Sequence, residues 1–299
     1  MTTTAVDGSG SAAGPPPAGA DTDRGSWPAL PRRPRRRPVA PRLLAIGAPI
    51  SPTARWTLRV LSVAVPLAMW FALSASGAVN PRFLPSPAAT WSAGVEMLRT
   101  GDLLADALAS VRRILIGLGL AVAISVPLGF AMGAFRAAEA AFEPIIGLLR
   151  YQPAAAYIPL LIIWFGIGEA PKIALLVIGV VFFNTLMTAD VVRRVPRDLL
   201  QVSYTLGATR AEVLSKVVLP YSLPGMIDAI RVNAAAAWNL VIVAELVAVT
   251  SGLGYRITRA GRFLQTDRIF AVLIVIGLIG LTIDVALRLI RERVGRWVV

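Results

Sequence analysis

Several uninterrupted apolar runs, each about 20 residues long, constrain this chain more than any other feature. That length lets an α-helix cross a hydrocarbon core about 30 Å thick. The runs fall at about 57–76, 111–135, 144–166, 173–189, 226–249 and 269–290. No water inside a bilayer can satisfy backbone N–H and C=O groups, so such runs read as helices. Composition agrees: 16% of the residues are charged and 56% hydrophobic, whereas about a quarter are charged in soluble domains. The expected fold class is all-α, a polytopic membrane protein of about six transmembrane helices.

The chain contains no histidine and no cysteine. Histidine is the usual general base and the commonest metal ligand. A Ser-His-Asp triad and a His-ligated metal site are therefore excluded. Asp, Glu and Lys chemistry stays formally open, but the expectation is a non-enzyme with no catalytic residues, no metal and no cofactor of its own.

The formal charge of +13 comes almost wholly from arginine. A nucleic-acid binder could share that charge, but the hydropathy favours cations that orient helices, and no nucleic-acid partner is expected. One side would collect Arg136, Arg193, Arg194, Arg197, Arg210, Lys216, Arg288, Arg291, Arg293 and Arg296, together with an Arg cluster near the N-terminus. Cytoplasmic loops carry the excess of Lys and Arg. Six spans put both termini on that side, so both are expected in the cytoplasm of a multi-pass plasma (inner) membrane protein. The segment 255–268 would then be external, yet it carries Arg256, Arg259, Arg262 and Arg268. Those cations would either raise the local concentration of an anion or dock an acidic patch of a partner.

Residues 1–55 read as a disordered tail rich in Pro and Arg, with two and then three arginines set between prolines at 31–38. It lacks the apolar centre and small-residue cleavage site of a signal peptide. Its arginines suit an anionic leaflet. Residues 56–299 form the transmembrane domain, with a short interfacial helix expected near 87–100.

The segment 191–225, between the fourth and fifth runs, is too well specified for an idle connector. Asp198 can cap a helix that starts after Pro196, with Leu199, Leu200, Val202 and Leu206 at helical spacing. Gly207 would end it in a left-handed conformation. Thr209 and Glu212 spell a capping box for a second helix, whose Val213, Leu214, Val217 and Val218 would face the protein. Pro220 and Pro224 are expected to end that helix and redirect the chain. The product is a helix-turn-helix knuckle with a basic tip.

Ionisable groups inside a span are costly and serve pairing or function. Asp228, Arg231, Trp238 and Glu245 share one stripe of the fifth run. Asp228 is expected to pair with Arg231, and Asp284 with Arg288 four residues on. Glu245 has no partner legible in the sequence; it would line a pathway or pair with an external Arg. Asn184 could line a path or bond across helices. Candidate pathway residues are thus Asn184, Trp238, Asn239 and Glu245.

The pattern Gly207-Ala208, Leu219-Pro220, Leu223-Pro224-Gly225 resembles the "EAA loop" of binding-protein-dependent ABC importer permeases. The stretch 149–168, which includes Gln152-Pro153 and Trp164-Phe165-Gly166, resembles the aliphatic sulfonate, taurine and nitrate group. So does Ser251-Gly252-Leu253-Gly254 with Phe263-Leu264-Gln265-Thr266-Asp267. The resemblance implies the type I importer permease (MetI-like) fold and a permease subunit for a small anion, most simply an aliphatic sulfonate, with taurine, nitrate or another small solute as alternatives. It also implies two ATP-binding subunits, an extracytoplasmic substrate-binding protein and a second permease copy. By resemblance the coupling contact to the ATPase falls on Leu200, Gln201, Ser203, Leu206, Gly207, Ala208, Thr209, Arg210 and Pro220. The family's Glu-Ala-Ala is here Gln201-Val202-Ser203, so a charged contact at that first position is missing. No Gly-x4-Gly-Lys-Ser/Thr pattern occurs, so ATP is expected to bind a partner. A stand-alone secondary transporter is the rival; it would need midplane carboxylates and internal repeats.

Overall fold

Helices form at all the apolar runs, but the third run is broken. The computed structural model describes residues 50–247 and 250–296. The Pro/Arg-rich tail up to residue 49, with its cluster at 31–38, lies outside the described residues. Contacts divide the chain into two units, Met1–Leu61 and Ser62–Val299. The described part of the first contains the opening turns of α1 (Pro52–Ala75), where the Arg59 guanidinium lies 5.5 Å from the centre of the Trp56 ring. No residue of α1 is buried.

In the second unit, Trp70 near the end of α1 donates to the Pro85 carbonyl at 3.0 Å and stacks on Phe270. The next helix, α2 (Pro87–Arg99), starts where Ser86 accepts the Ala89 N–H. It packs on α3 and α11 through Thr90, Ala93 and Met97. The second apolar run becomes α3 (Asp102–Ala134). It begins well before the expected residue 111, because the polar residues of its first turns find buried partners in other elements.

The expected single span at 144–166 is two helices, α4 (Arg136–Leu149) and α5 (Ile158–Phe165), joined by a 3-10 turn at Ala154–Tyr157 and bent by 80°. Pro153 is the physical cause. It has no N–H to donate and it pushes Gln152 away from helical geometry. Among the described residues, five helices are long and apolar enough to cross a membrane, or six if the bent pair is one span.

The remaining chain forms α6 (Ala170–Arg193), α7 (Arg197–Thr205), α8 (Arg210–Glu212), a π-helical turn at Val213–Val218, α9 (Leu219–Val247), α10 (Leu253–Arg262) and α11 (Thr266–Val294). The expectation that Pro220 and Pro224 end the second knuckle helix is not met. The chain stays helical from Arg210 to Leu246. Proline in a helix interior clashes with the carbonyl four residues back. The π-turn widens the helix just before Pro220 and accommodates that clash.

The centre of the bundle is α3 packed along α6, with α9 against both. Small residues on α3 make the approach close. A Cβ on Gly117 would sit 2.7 Å from Leu176, and one on Gly133 would sit 2.5 Å from Val192. In lipid, where apolar burial does not drive helices together, such packing does. The largest core cluster joins Ile114, Leu176, Val180, Trp238, Val241 and Val272. A second, of Val192, Val195, Val213, Val218 and Met226, lies under the knuckle.

Candidate functional site

At one end of the bundle stands the knuckle. Its first helix, α7, is capped by Pro196 and not by Asp198, which lies inside the first turn with no capping bond. There its charge still suits the positive end of the helix dipole. The end of α7 is closed as predicted. Gly207 takes φ +82°; its N–H bonds the Tyr204 carbonyl, and the Ala208 N–H bonds the Ser203 carbonyl, each at 3.0 Å. That pair of bonds is a Schellman closure, which requires a left-handed residue at the turn. Two residues on, Thr209 and Glu212 form the capping box: the Thr209 N–H donates to Glu212 Oε2 at 3.0 Å, and the Glu212 N–H to Thr209 Oγ1 at 3.4 Å.

The knuckle is anchored on one side only. Leu200, Ala208 and Leu214 pack on the cluster beneath it. Leu199, Val202 and Tyr204 are exposed, and Leu206 at the turn is 81% exposed. Gln201 and Arg210 are exposed beside them. A cavity of about 340 Å³ between the α3–α4 corner and α7–α8 is lined by Arg136, Arg193, Arg197 and Arg210, with Glu139 pairing with the first two.

At the opposite end, four elements meet in a buried charge cage. Arg113 of α3 donates Nη1 to Glu245 Oε1 at 2.6 Å and Nε to Glu169 Oε2 at 2.6 Å. Its Nη1 and Nη2 also hold the carbonyl and hydroxyl of Ser251 at 3.0 and 2.9 Å. Ser110 donates to Glu245, and the Gly254 N–H donates to Glu245 Oε2 at 2.9 Å. Next to it, Asp106 accepts from Arg256 and from the Gly252 N–H at 2.8 Å, and Arg256 also reaches Asp102 at 3.3 Å. Glu169 lies between spans; the Arg113 guanidinium, seconded by Lys172, holds its carboxyl at about 2. Such pairs survive burial only when each remaining lone pair and proton is satisfied, as these are.

Several sequence expectations change here. Glu245 does have a partner, Arg113 on α3, rather than one of the external arginines. Arg256 is buried in its ion pairs, and Arg268 contacts Glu96 at 3.2 Å. Neither is a free external cation; Arg259 and Arg262 are exposed. Arg231 pairs with Asp284 and not with Asp228, which meets Arg291 at 3.1 Å. Arg288 pairs with Glu292, not with Asp284. Except for Glu292, which sits one turn on from Arg288 in α11, the partner is on a neighbouring helix or turn that linear spacing does not reveal.

Between the two ends, the candidate pathway residues separate. Asn184 is buried and bonds across helices: its Nδ2 donates to Ser125 at 2.6 Å, and Asn233 donates to its Oδ1 at 3.3 Å. Trp238 is buried and donates to the Ile276 carbonyl at 3.1 Å. Both serve packing. Asn239 alone of the four is exposed, on a cavity beside the α4–α5 break. The sequence reading missed Arg113, Asp106, Ser110 and Glu169. A signal existed: Asp102, Asp106, Ser110 and Arg113 follow each other at helical spacing into an apolar run.

Residues 123–298 match the family described as "Binding-protein-dependent transport system inner membrane component". A probable ABC transporter permease protein of Brucella melitensis is 37% identical over 240 residues, covering 80% of this chain and 96% of that protein. The taurine transport system permease protein of Escherichia coli is 34% identical over 246 residues, covering 81% and 90%. A putative aliphatic sulfonates transport permease protein of Bacillus subtilis is 31% identical over 242 residues, covering 81% and 88%. Among solved structures, the MetNI methionine ABC transporter in an inward facing conformation superposes with a TM-score of 0.60 at 21% identity, over 66% of this chain and 97% of that one. That likeness shows the fold: an ABC importer permease fold.

Proposed function

The chain belongs to the family of binding-protein-dependent transport system inner membrane components, and from that premise we propose that it is the permease half of an ATP-driven importer for a small anion of the sulfonate and taurine class. Two copies would pair, two ATPase subunits would sit against the knuckles, and an external binding protein would deliver the solute. Both termini and the knuckle would be cytoplasmic, with the bent α4–α5 pair counted as one span, in keeping with the arginines at that end.

The observation that carries this reading is the knuckle itself. It is fixed by a Schellman closure and a capping box, yet it leaves Leu206 in solvent. A helix-loop that is rigid and unpartnered transmits a push. Closure of the ATPases on ATP would move the knuckle, and the unbroken helix from Arg210 to Leu246 would carry that movement into the bundle. The arginine-lined crevice beside it suits an acidic rim on the ATPase. At the other end, exposed Arg259 and Arg262 would face the binding protein or concentrate the anion.

The test is co-purification and reconstitution. A tagged chain should bring down its cognate ATPase in equal amount, and liposomes holding both should import the solute only with ATP and the binding protein. Uptake by the chain alone, without ATP, would overturn the proposal in favour of a secondary transporter.

A further inference from the structure

We propose that the break between α4 and α5 holds an anion-contact site, centred on Arg150, that engages the carried solute midway through the membrane. The inference rests on the permease reading above and names a residue set for its substrate class. A cavity of about 430 Å³ opens beside the break, a size within the usual ligand range of roughly 300–1,000 Å³. Its walls come from three elements: the chain after α4 gives Arg150, Tyr151 and Gln152, α6 gives Gly179 and Phe182, and α9 gives Asn239.

The cavity lies deep. Gly179 and Phe182 lie at the middle of the 24-residue helix α6. The cavity is therefore near the bilayer midplane if α6 spans it. An arginine at that depth is costly and faces protein or water, where it marks a substrate path. Non-helical backbone is likewise tolerated there only beside a cavity.

Arg150 is exposed and has no carboxylate partner among the described residues; its guanidinium stacks 4.9 Å from the centre of the Tyr151 ring and donates Nη2 to Tyr151 Oη at 3.1 Å. Stacking fixes the planar fork without neutralising it. The Tyr151 hydroxyl, having accepted from Arg150, keeps its own proton to donate. Gln152 adds amide N–H groups, Asn239 adds the Nδ2 hydrogen that is not already bonded to the Ala235 carbonyl at 3.2 Å, and no acidic residue lines the cavity. Every polar group there can donate to an oxyanion, and the one charge is positive. A planar guanidinium binds the paired oxygens of such a group bidentately. Arg113 and Arg231, by contrast, meet carboxylates within the bundle.

The backbone supports the placement. A Cβ on Gly179 would collide with the Leu240 side chain and lie 3.2 Å from Ala154. The glycine lets α9 and the 3-10 turn close on α6 and brings Asn239 towards the Arg150 segment.

The experiment reconstitutes the full transporter, with its ATPase and binding protein, in liposomes. Taurine, ethanesulfonate and nitrate are the probes. Arg150→Gln should reduce uptake of the transported probe at least ten-fold, Arg150→Lys should restore part of it, and basal ATP hydrolysis and subunit stoichiometry should stay as in the unaltered complex. Uptake by Arg150→Gln within two-fold of the unaltered rate overturns the site while leaving the permease reading intact. Loss of the second permease copy from that variant overturns it too, because Arg150 would then serve assembly. If the unaltered transporter moves none of the three probes, both the site and the anion class are wrong.

Discussion

Arg113 and Glu245 meet 2.6 Å apart with side chains 3% and 0% exposed, joining α3 to α9 at the end of the bundle away from the knuckle. Removing one partner of such a pair leaves an uncompensated buried charge, which costs about 3–5 kcal/mol. Arg113 would keep Glu169 if Glu245 were removed, whereas Arg113→Met leaves the buried Glu245 with only the Ser110 hydroxyl and the Gly254 N–H, and should therefore lower the thermal midpoint of the purified complex sharply. Replacing both residues by apolar ones of similar volume should recover much of the loss, because the penalty belongs to the unpaired charge.

Gly252 closes the same cage from the other side. It takes φ +116°, and a Cβ there would stand 2.5 Å from Arg113 Nη1 and from the Glu245 carboxyl carbon. Gly77 is also left-handed, at φ +68°, but opens on empty space. Gly252→Ala should thus cost more stability than Gly77→Ala, which meets only backbone strain. Thermal melts of the two variants, side by side, make the comparison.

Glu169 predicts an acid limb. Its folded pKa is lowered to about 2 from 4.5, with the Arg113 hydrogen bond the largest lowering cause. A depressed carboxyl stabilises the fold above its unfolded pKa, and that contribution is lost as pH falls through the folded value. Between pH 4.5 and 2 the unaltered protein should lose stability more steeply than Glu169→Gln. Melting temperature against pH for the two proteins checks the sign.

Leu206 predicts a contact. With 81% of its surface exposed, it contributes little to the permease fold. Leu206→Asp should leave the melting temperature of the isolated permease within a degree or two, yet weaken ATPase binding at least ten-fold in a pull-down titration. A charge buried in an apolar contact has no compensation there.

Much of this was legible in the sequence. Apolar runs placed the spans, and Gly207, Thr209 and Glu212 named their turn and cap, because both signals depend only on local spacing. The pairing of Arg113 with Glu245 was not legible, since 132 positions separate them. Local spacing even misled at Asp228 and Arg231, where a helix from the far end of the chain supplied the better partner for each. Pro153 was visible, but whether a proline kinks or breaks a span depends on what packs beside it. Here Gly179 admits the turn, and the span breaks; at Pro127 and Pro224 the helix continues.

If the turn at Gly207 couples the two halves of the cycle, a change there should show in the amount of solute imported per ATP hydrolysed by the reconstituted complex. At φ +82° and with nothing within 4 Å of an added Cβ, the turn constrains backbone and not space. Asparagine tolerates that conformation, and a β-branched residue does not. Gly207→Asn should keep most of the ratio, while Gly207→Val should still assemble and hydrolyse ATP but import less than about a tenth as much per ATP. An unaltered ratio in Gly207→Val would contradict the coupling role.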